Sequence, residues 1–217
     1  MTKVAISDAH GVMREGLCAL LRSTGEFEVV GEAADGASTL ALARITDAVL
    51  LTLGLSMPGI HGLDLIPLIR IENPSLRILV VTMHPEQVYA VRAFKAGASG
   101  FVTKDTPGKD FIAAARKVAR GGIYVSLTIA DQIAQGFGEA DTLLPHQRLS
   151  NREFEIFLRI ATGESLTAIA EHLRVSNKTV STHRTRILEK TGFANDAALV
   201  RYAVRAGLLG GEGGELV

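Results

Sequence analysis

The sequence contains a single cysteine, Cys18, so no internal disulfide framework supports its fold. It has no apolar run of the roughly 18 residues that a membrane-spanning helix needs. No G-x-G-x-x-G or Walker pattern follows any of its apolar runs, which leaves a nucleotide-binding reading without support. The opening MTKVAISDAH has neither the charged start, the apolar core nor the small-residue cleavage site of a secretory leader, and a cytoplasmic protein is expected. Net charge is absent too, with 23 basic against 23 acidic side chains, and that balance alone says nothing about nucleic acid. What is present is a 47% hydrophobic fraction over 217 residues, enough for one large or two small cores at about 150 residues per domain.

Five short runs, VAIS (4–7), FEVVGEA (27–33), AVLLTL (48–53), ILVVT (78–82) and GFVT (100–103), are rich in β-branched and aliphatic residues and too short for buried helices. Between them the apolar spacing is helical, as at Val12, Gly16, Leu17, Leu20 and Leu21. The last such stretch, about 107–120, is expected to be capped by Thr106, with Pro107 at its first position. Strands that are apolar throughout and alternate with helices predict an α/β, doubly wound, five-stranded parallel sheet over residues 1–121. Residues 122–148 read as a linker with one short helix in SLTIADQIA.

Residues 149–217 read as a small all-α domain of four short helices. Ser150 and Glu153 form a capping box for 151–162. Ser165 caps a helix ending near Leu173, Ser176 caps 177–190, and Asn195 opens the last, 195–206. Two helices joined by the short Arg174-Val175-Ser176 turn define a helix-turn-helix. At 100° per residue Val180 and Ile187 share one side of the third helix, while Lys178, Thr182, Thr185 and Glu189 share the other, flanked by Ser181 and Arg186. Small hydroxyls with a few cations suit a helix that meets double-stranded DNA, hydroxyls at base edges and cations at phosphates. Residues 174–190 carry Arg174, Lys178, Arg184, Arg186 and Lys190 against Glu189 alone, a candidate phosphate-facing stripe. Helix 151–162 has an apolar arc widened by Phe154 and Leu158. That width predicts docking against the first domain, the 122–148 segment or a second subunit.

The stretch LSNREFEIFLRIATGESLTAIAEHLRVSNKTVSTHRTRILEKTG resembles the LuxR-type helix-turn-helix. Ser56-Met57-Pro58-Gly59-Ile60-His61-Gly62, Thr82-Met83-His84 and Gly97-Ala98-Ser99-Gly100-Phe101-Val102-Thr103-Lys104 resemble the framework of a bacterial receiver domain. Together they are similar to the NarL/FixJ family of two-component response regulators over essentially the whole chain. The resemblance implies a flavodoxin-like sheet of order 2-1-3-4-5. It also implies DNA contact through Lys178, Thr179, Ser181, Thr182, Arg184, Thr185 and Arg186, with 195–206 as a dimerisation element. Since one short helix reads too few base pairs for useful specificity, a homodimer on an inverted repeat is expected. In the same family the receiver is phosphorylated on an aspartate four residues before this Pro58, and holds Mg²⁺ with an acidic pair after the first strand.

Two positions depart from that pattern: the acceptor position is Gly54 and the acidic pair reads Asp8-Ala9. An acyl phosphate needs a carboxylate nucleophile, and glycine offers none. One aspartate makes a poor Mg²⁺ site. Asp64 belongs to the following helix, and Ser56 and Thr52 are open only to a separate kinase. The degenerate pocket therefore comprises Asp8, Ala9, Gly54, Thr82, Phe101 and Lys104, with no metal and no cofactor expected. With the acceptor gone, Asp8 is the best carboxylate for Lys104, and an Asp8–Lys104 contact is expected. Control then passes to abundance, a protein partner or a small ligand at the pocket. An alternative class is an interaction protein whose receiver-like half binds another regulator or kinase, with DNA binding secondary. Enzymatic activity is not expected, because Asp8, Thr82 and Lys104 lack a nucleophile–base pair. Cys18, His10 and His84 read as structural residues.

Overall fold

The strands form where the β-branched and aliphatic runs place them: β1 (Thr2–Ser7), β2 (Phe27–Ala33), β3 (Leu50–Leu53), β4 (Arg77–Thr82) and β5 (Gly100–Thr103). The structure, a computed structural model, describes residues 1–127, 129–131 and 144–209. Backbone contacts divide the chain into two units, Met1–Gln135 and Gly136–Val217.

In the first unit the strands pair in parallel in the order β2-β1-β3-β4-β5. Leu50, Leu51 and Leu53 of β3 are fully buried, as a central strand covered on both faces requires. Each such side chain contributes roughly 1.5–3 kcal/mol of burial free energy. Helices α1 (Gly11–Ser23), α2 (Gly36–Ile45), α3 (Gly62–Glu72), α4 (Glu86–Ala96) and α5 (Gly108–Ala119) make the crossovers. One core joins Leu17, Cys18 and Leu21 of α1 with Phe111, Ala115 and Val118 of α5 over Val4, Ile6, Leu79 and Val81. Such crossovers bring the loops after β1, β3, β4 and β5 together at the carboxyl edge of the sheet.

Three expectations need correction. Val12 is 86% exposed, because it lies nine residues, about half a turn of rotation, from Leu21. Thr106 does not cap α5. Pro107 is the N-cap residue, and the Thr106 hydroxyl meets the Thr103 hydroxyl at 3.3 Å inside the preceding turn. The strand predicted at 48–53 begins at Leu50, since Ala48 donates its N–H to the Thr46 hydroxyl. Beyond α5, Tyr124 bridges to Gly100 of β5 and Ile129 is buried, so this part of the expected linker lies against the first unit. Residues 127 and 129–131 are helical and Ser126 stands before the helix, while the rest of the helix expected in SLTIADQIA lies outside the described residues.

In the second unit a 3₁₀ turn (Pro145–Arg148) precedes α6 (Asn151–Ala161), α7 (Leu166–Leu173), α8 (Asn177–Thr191) and α9 (Asp196–Arg205). Ser150, Ser165, Ser176 and Asn195 each accept the backbone N–H three residues on, satisfying a donor that the helix start leaves open. The wide apolar arc of α6 is filled from within its own unit. Phe154 is fully buried, with Phe157 and the His146 ring each at a centroid distance of 6.1 Å.

Candidate functional site

At the carboxyl edge of the sheet, Asp8 follows β1 with its side chain only 2% exposed. Its Oδ1 accepts the His10 backbone N–H at 2.8 Å and lies 3.0 Å from His10 Nδ1. Its Oδ2 lies 2.6 Å from the Lys104 ammonium, which is 8% exposed, so the expected contact is present. Gly54 ends the run after β3, and a Cβ built on it would stand 2.8 Å from Asp8 Oδ2. The carboxylate therefore occupies the space into which a side chain at position 54 would grow. Gly54 is not among the residues with positive φ, so its backbone does not demand glycine.

Around this pair the loops are tied down. Lys104 donates its backbone N–H to the Thr82 carbonyl at 2.8 Å, and Thr82 Oγ1 accepts the His84 N–H at 3.2 Å. Thr82 and Phe101 are both buried, and Ala9 stands half-buried between Asp8 and His10. At the rim, Ser56 Oγ and His84 Nε2 are hydrogen-bonded at 3.1 Å, and the His84 ring stacks on Tyr89 at 4.3 Å. His10 and His84 thus have roles in the pocket that reading them as structural residues missed. For His10 the signal was its place two residues after an aspartate, the spacing of an Asx turn. Thr52 is buried and closed to a kinase, whereas Ser56 is exposed.

In the helical unit α8 packs Val180 and Ile187 into the core and leaves Lys178, Ser181, Thr182, Thr185 and Arg186 exposed, with Thr179 half-buried beside them. Thr182 and Thr185 donate their hydroxyls to the carbonyls of Lys178 and Ser181, four residues back, so each hydroxyl keeps its lone pairs outward. Arg184 is placed differently from the rest of the predicted set. Its Nε lies 2.9 Å from both carboxylate oxygens of Asp196 at the start of α9. His183 Nδ1 is buried without a hydrogen-bond partner among the described residues. Burial pushes its imidazole below the ordinary range, and Arg152 adds repulsion. Cys18 is buried in the α1 core, where desolvation and a contact with Glu32 push its thiol up to about 11 against the weaker opposing pull of Arg22 and Arg14.

A five-stranded parallel α/β unit followed by a helix-turn-helix with a small, polar, cation-bearing face is the architecture of a DNA-binding regulator. Residues 4–116 match the response regulator receiver domain, and 147–203 match the bacterial regulatory proteins of the luxR family. Response regulator GacA of Pseudomonas aeruginosa is 35% identical over 210 residues, 96% of this chain and 98% of its own. RcsB of Salmonella enterica serovar Typhimurium, solved bound to promoter rprA with the phosphomimetic BeF3-, is 29% identical. That match covers 94% of this chain and 99% of RcsB, with a TM-score of 0.63. A structure of two RcsB dimers bound to two parallel DNAs is 28% identical, covers 94% and 98% of the two chains, and has a TM-score of 0.57. The chain belongs to the response regulators with a LuxR-type DNA-binding domain; it is a transcription factor and not an enzyme.

The residues of the pocket do not fit the Mg²⁺ site of that family. The second acidic position is Ala9, position 54 has no side chain, and the oxygens of Asp8 already face Lys104 and His10. Among the described residues no group of three or more potential metal ligands assembles. No helix among them is long and apolar enough to cross a membrane.

Proposed function

We propose that this chain is a sequence-specific transcription regulator whose receiver-like domain works without aspartyl phosphorylation. The observation that carries this reading is the Asp8–Lys104 pair, which fills the place of an acceptor side chain and neutralises the lysine that would otherwise face one. A phosphoryl group arriving at this pocket meets no carboxylate at position 54 to attack it, and no cation site to offset its charge. The two rim contacts, Ser56 with His84 and His84 with Thr82, support a pocket held in one arrangement. Input then comes from abundance, a protein partner or a ligand at the pocket.

The functional division adopted is a pseudo-receiver over 1–121, a connecting segment over 122–148 and the DNA-binding domain over 149–217. Lys178, Thr179, Ser181, Thr182, Thr185 and Arg186 form the face offered to DNA. A homodimer on an inverted repeat follows from the few base pairs that one short helix reads, and the dimeric RcsB complexes on DNA support it. The test is to treat the purified full-length chain with acetyl phosphate and Mg²⁺, or with BeF3-, and to record intact mass and affinity for selected genomic fragments. Unchanged mass and unchanged affinity are expected. An added phosphoryl group, or a marked gain in affinity, overturns phosphorylation independence.

A further inference from the structure

The five cations of residues 174–190 do not form one equivalent stripe. Arg184 is held by both oxygens of Asp196, and Lys190 by both oxygens of Glu153 at 2.6 and 2.8 Å. The Glu153 carboxylate is 4% exposed and also accepts the Ser150 backbone N–H, so taking Lys190 away would leave a buried charge uncompensated. These two cations are neutralised inside the domain and have little net charge left for phosphate. Arg174, Lys178 and Arg186 are exposed and have no ion-pair partner among the described residues.

Arg174 is the unexpected member. It is the one non-glycine residue with positive φ among the described residues, at φ 52° and ψ 45° in the turn between α7 and α8. A side-chain-bearing residue held left-handed costs about 1 kcal/mol that glycine avoids. Its backbone N–H already closes α7 by meeting the carbonyls of Ala170 and Glu171, a task glycine performs as well. The cost is attached to the side chain, and that side chain is an exposed, uncompensated guanidinium four residues before Lys178. We propose that Arg174 contacts a DNA phosphate beside the recognition helix, and that Arg184 and Lys190 serve the domain's own structure and make no such contact. This rests on the DNA-binding reading above.

The test uses the full chain and a nonspecific duplex of about 30 base pairs, since a phosphate contact is independent of sequence. Affinity is measured at several salt concentrations for wild type, Arg174→Gly, Arg174→Ala, Lys178→Ala, Arg184→Gln and Lys190→Gln. Each phosphate contact contributes about 0.9 to the log–log salt slope. Arg174→Gly should lower the slope by about that amount per bound subunit, as Lys178→Ala should, and weaken binding at low salt about threefold per contact or more. Because glycine relieves the left-handed backbone, its melting temperature should not fall, which separates lost contact from lost fold. Arg184→Gln and Lys190→Gln should lower the melting temperature and leave the slope unchanged. A wild-type slope in Arg174→Gly, or a slope loss in Arg184→Gln equal to that of Lys178→Ala, overturns this assignment while DNA binding stands. No salt-dependent binding by the wild-type chain overturns both.

Discussion

Asp8 and Gly54 are complementary: the carboxylate of one stands 2.8 Å from where the side chain of the other would begin. Restoring an aspartate at position 54 alone should therefore fail. Gly54→Asp drives two carboxylates together, and one must leave or take a proton. The expected result is no phosphoryl incorporation from acetyl phosphate, read by intact mass, together with a lower melting temperature. Only the double change Gly54→Asp with Ala9→Asp, which also supplies the missing acidic partner, should begin to label. Full labelling of the single variant would show that Asp8 gives way freely.

Lys104 and Asp8 should be strongly coupled in stability. Lys104→Met leaves the buried Asp8 carboxylate with His10 as its one remaining partner among the described residues, and should cost about 3 kcal/mol. Asp8→Asn combined with Lys104→Met should cost less than the sum of the two single changes. Denaturant melts of the four proteins close this double-mutant cycle. Additive losses would mean the two side chains are neighbours without dependence.

The helical unit should lose stability on acidification in two steps. The His183 imidazole is held below its unfolded value of 6.5, first by burial and then by Arg152, so its contribution is fully present above pH 6.5. Below that pH the unfolded chain takes up the proton first, and stability falls as pH drops through the folded value. Glu153 is pushed up by burial but held below 4.5 overall by Lys190 and the Ser150 backbone and hydroxyl, so its contribution is lost only in more acid solution. Calorimetry of the full chain from pH 8 to pH 4 should show the first loss. His183→Gln should flatten the part of that loss that begins as pH falls below about 6.5.

Cys18 should be nearly inert in the native protein. A buried thiol with its pKa near 11 holds very little thiolate at pH 8. Alkylation by iodoacetamide should be slow in buffer and fast in urea, followed by mass. Rapid native labelling would place Cys18 outside the core.

Much of the architecture could be read from local pattern, because each strand is a short uninterrupted aliphatic run and each helix of the second unit starts on Ser or Asn. The Asp8–Lys104 contact follows from the receiver resemblance, which places Lys104 beside the acceptor position and, with Gly54 there, leaves Asp8 as its carboxylate. The Arg184–Asp196 contact was not: the two residues are twelve apart on different helices, and it depends on how α9 leaves the turn after Gly192. Burial of Phe154 is expected from the width of the arc, with the 122–148 segment one of three candidate covers; the choice of His146 in that segment, within a 3₁₀ turn, carries no periodic signal. The Ser56–His84 rim contact spans 28 residues and two loops, beyond what any spacing rule connects.

Glu153 does two jobs with one carboxylate: it closes the capping box at the start of α6 and holds Lys190 near the end of α8. Tilting α8 would therefore require opening the first turn of α6 and exposing a buried acid. One buried acid thus fastens the C-terminal end of α8 to the start of α6, at the other end of the helix from the exposed Lys178.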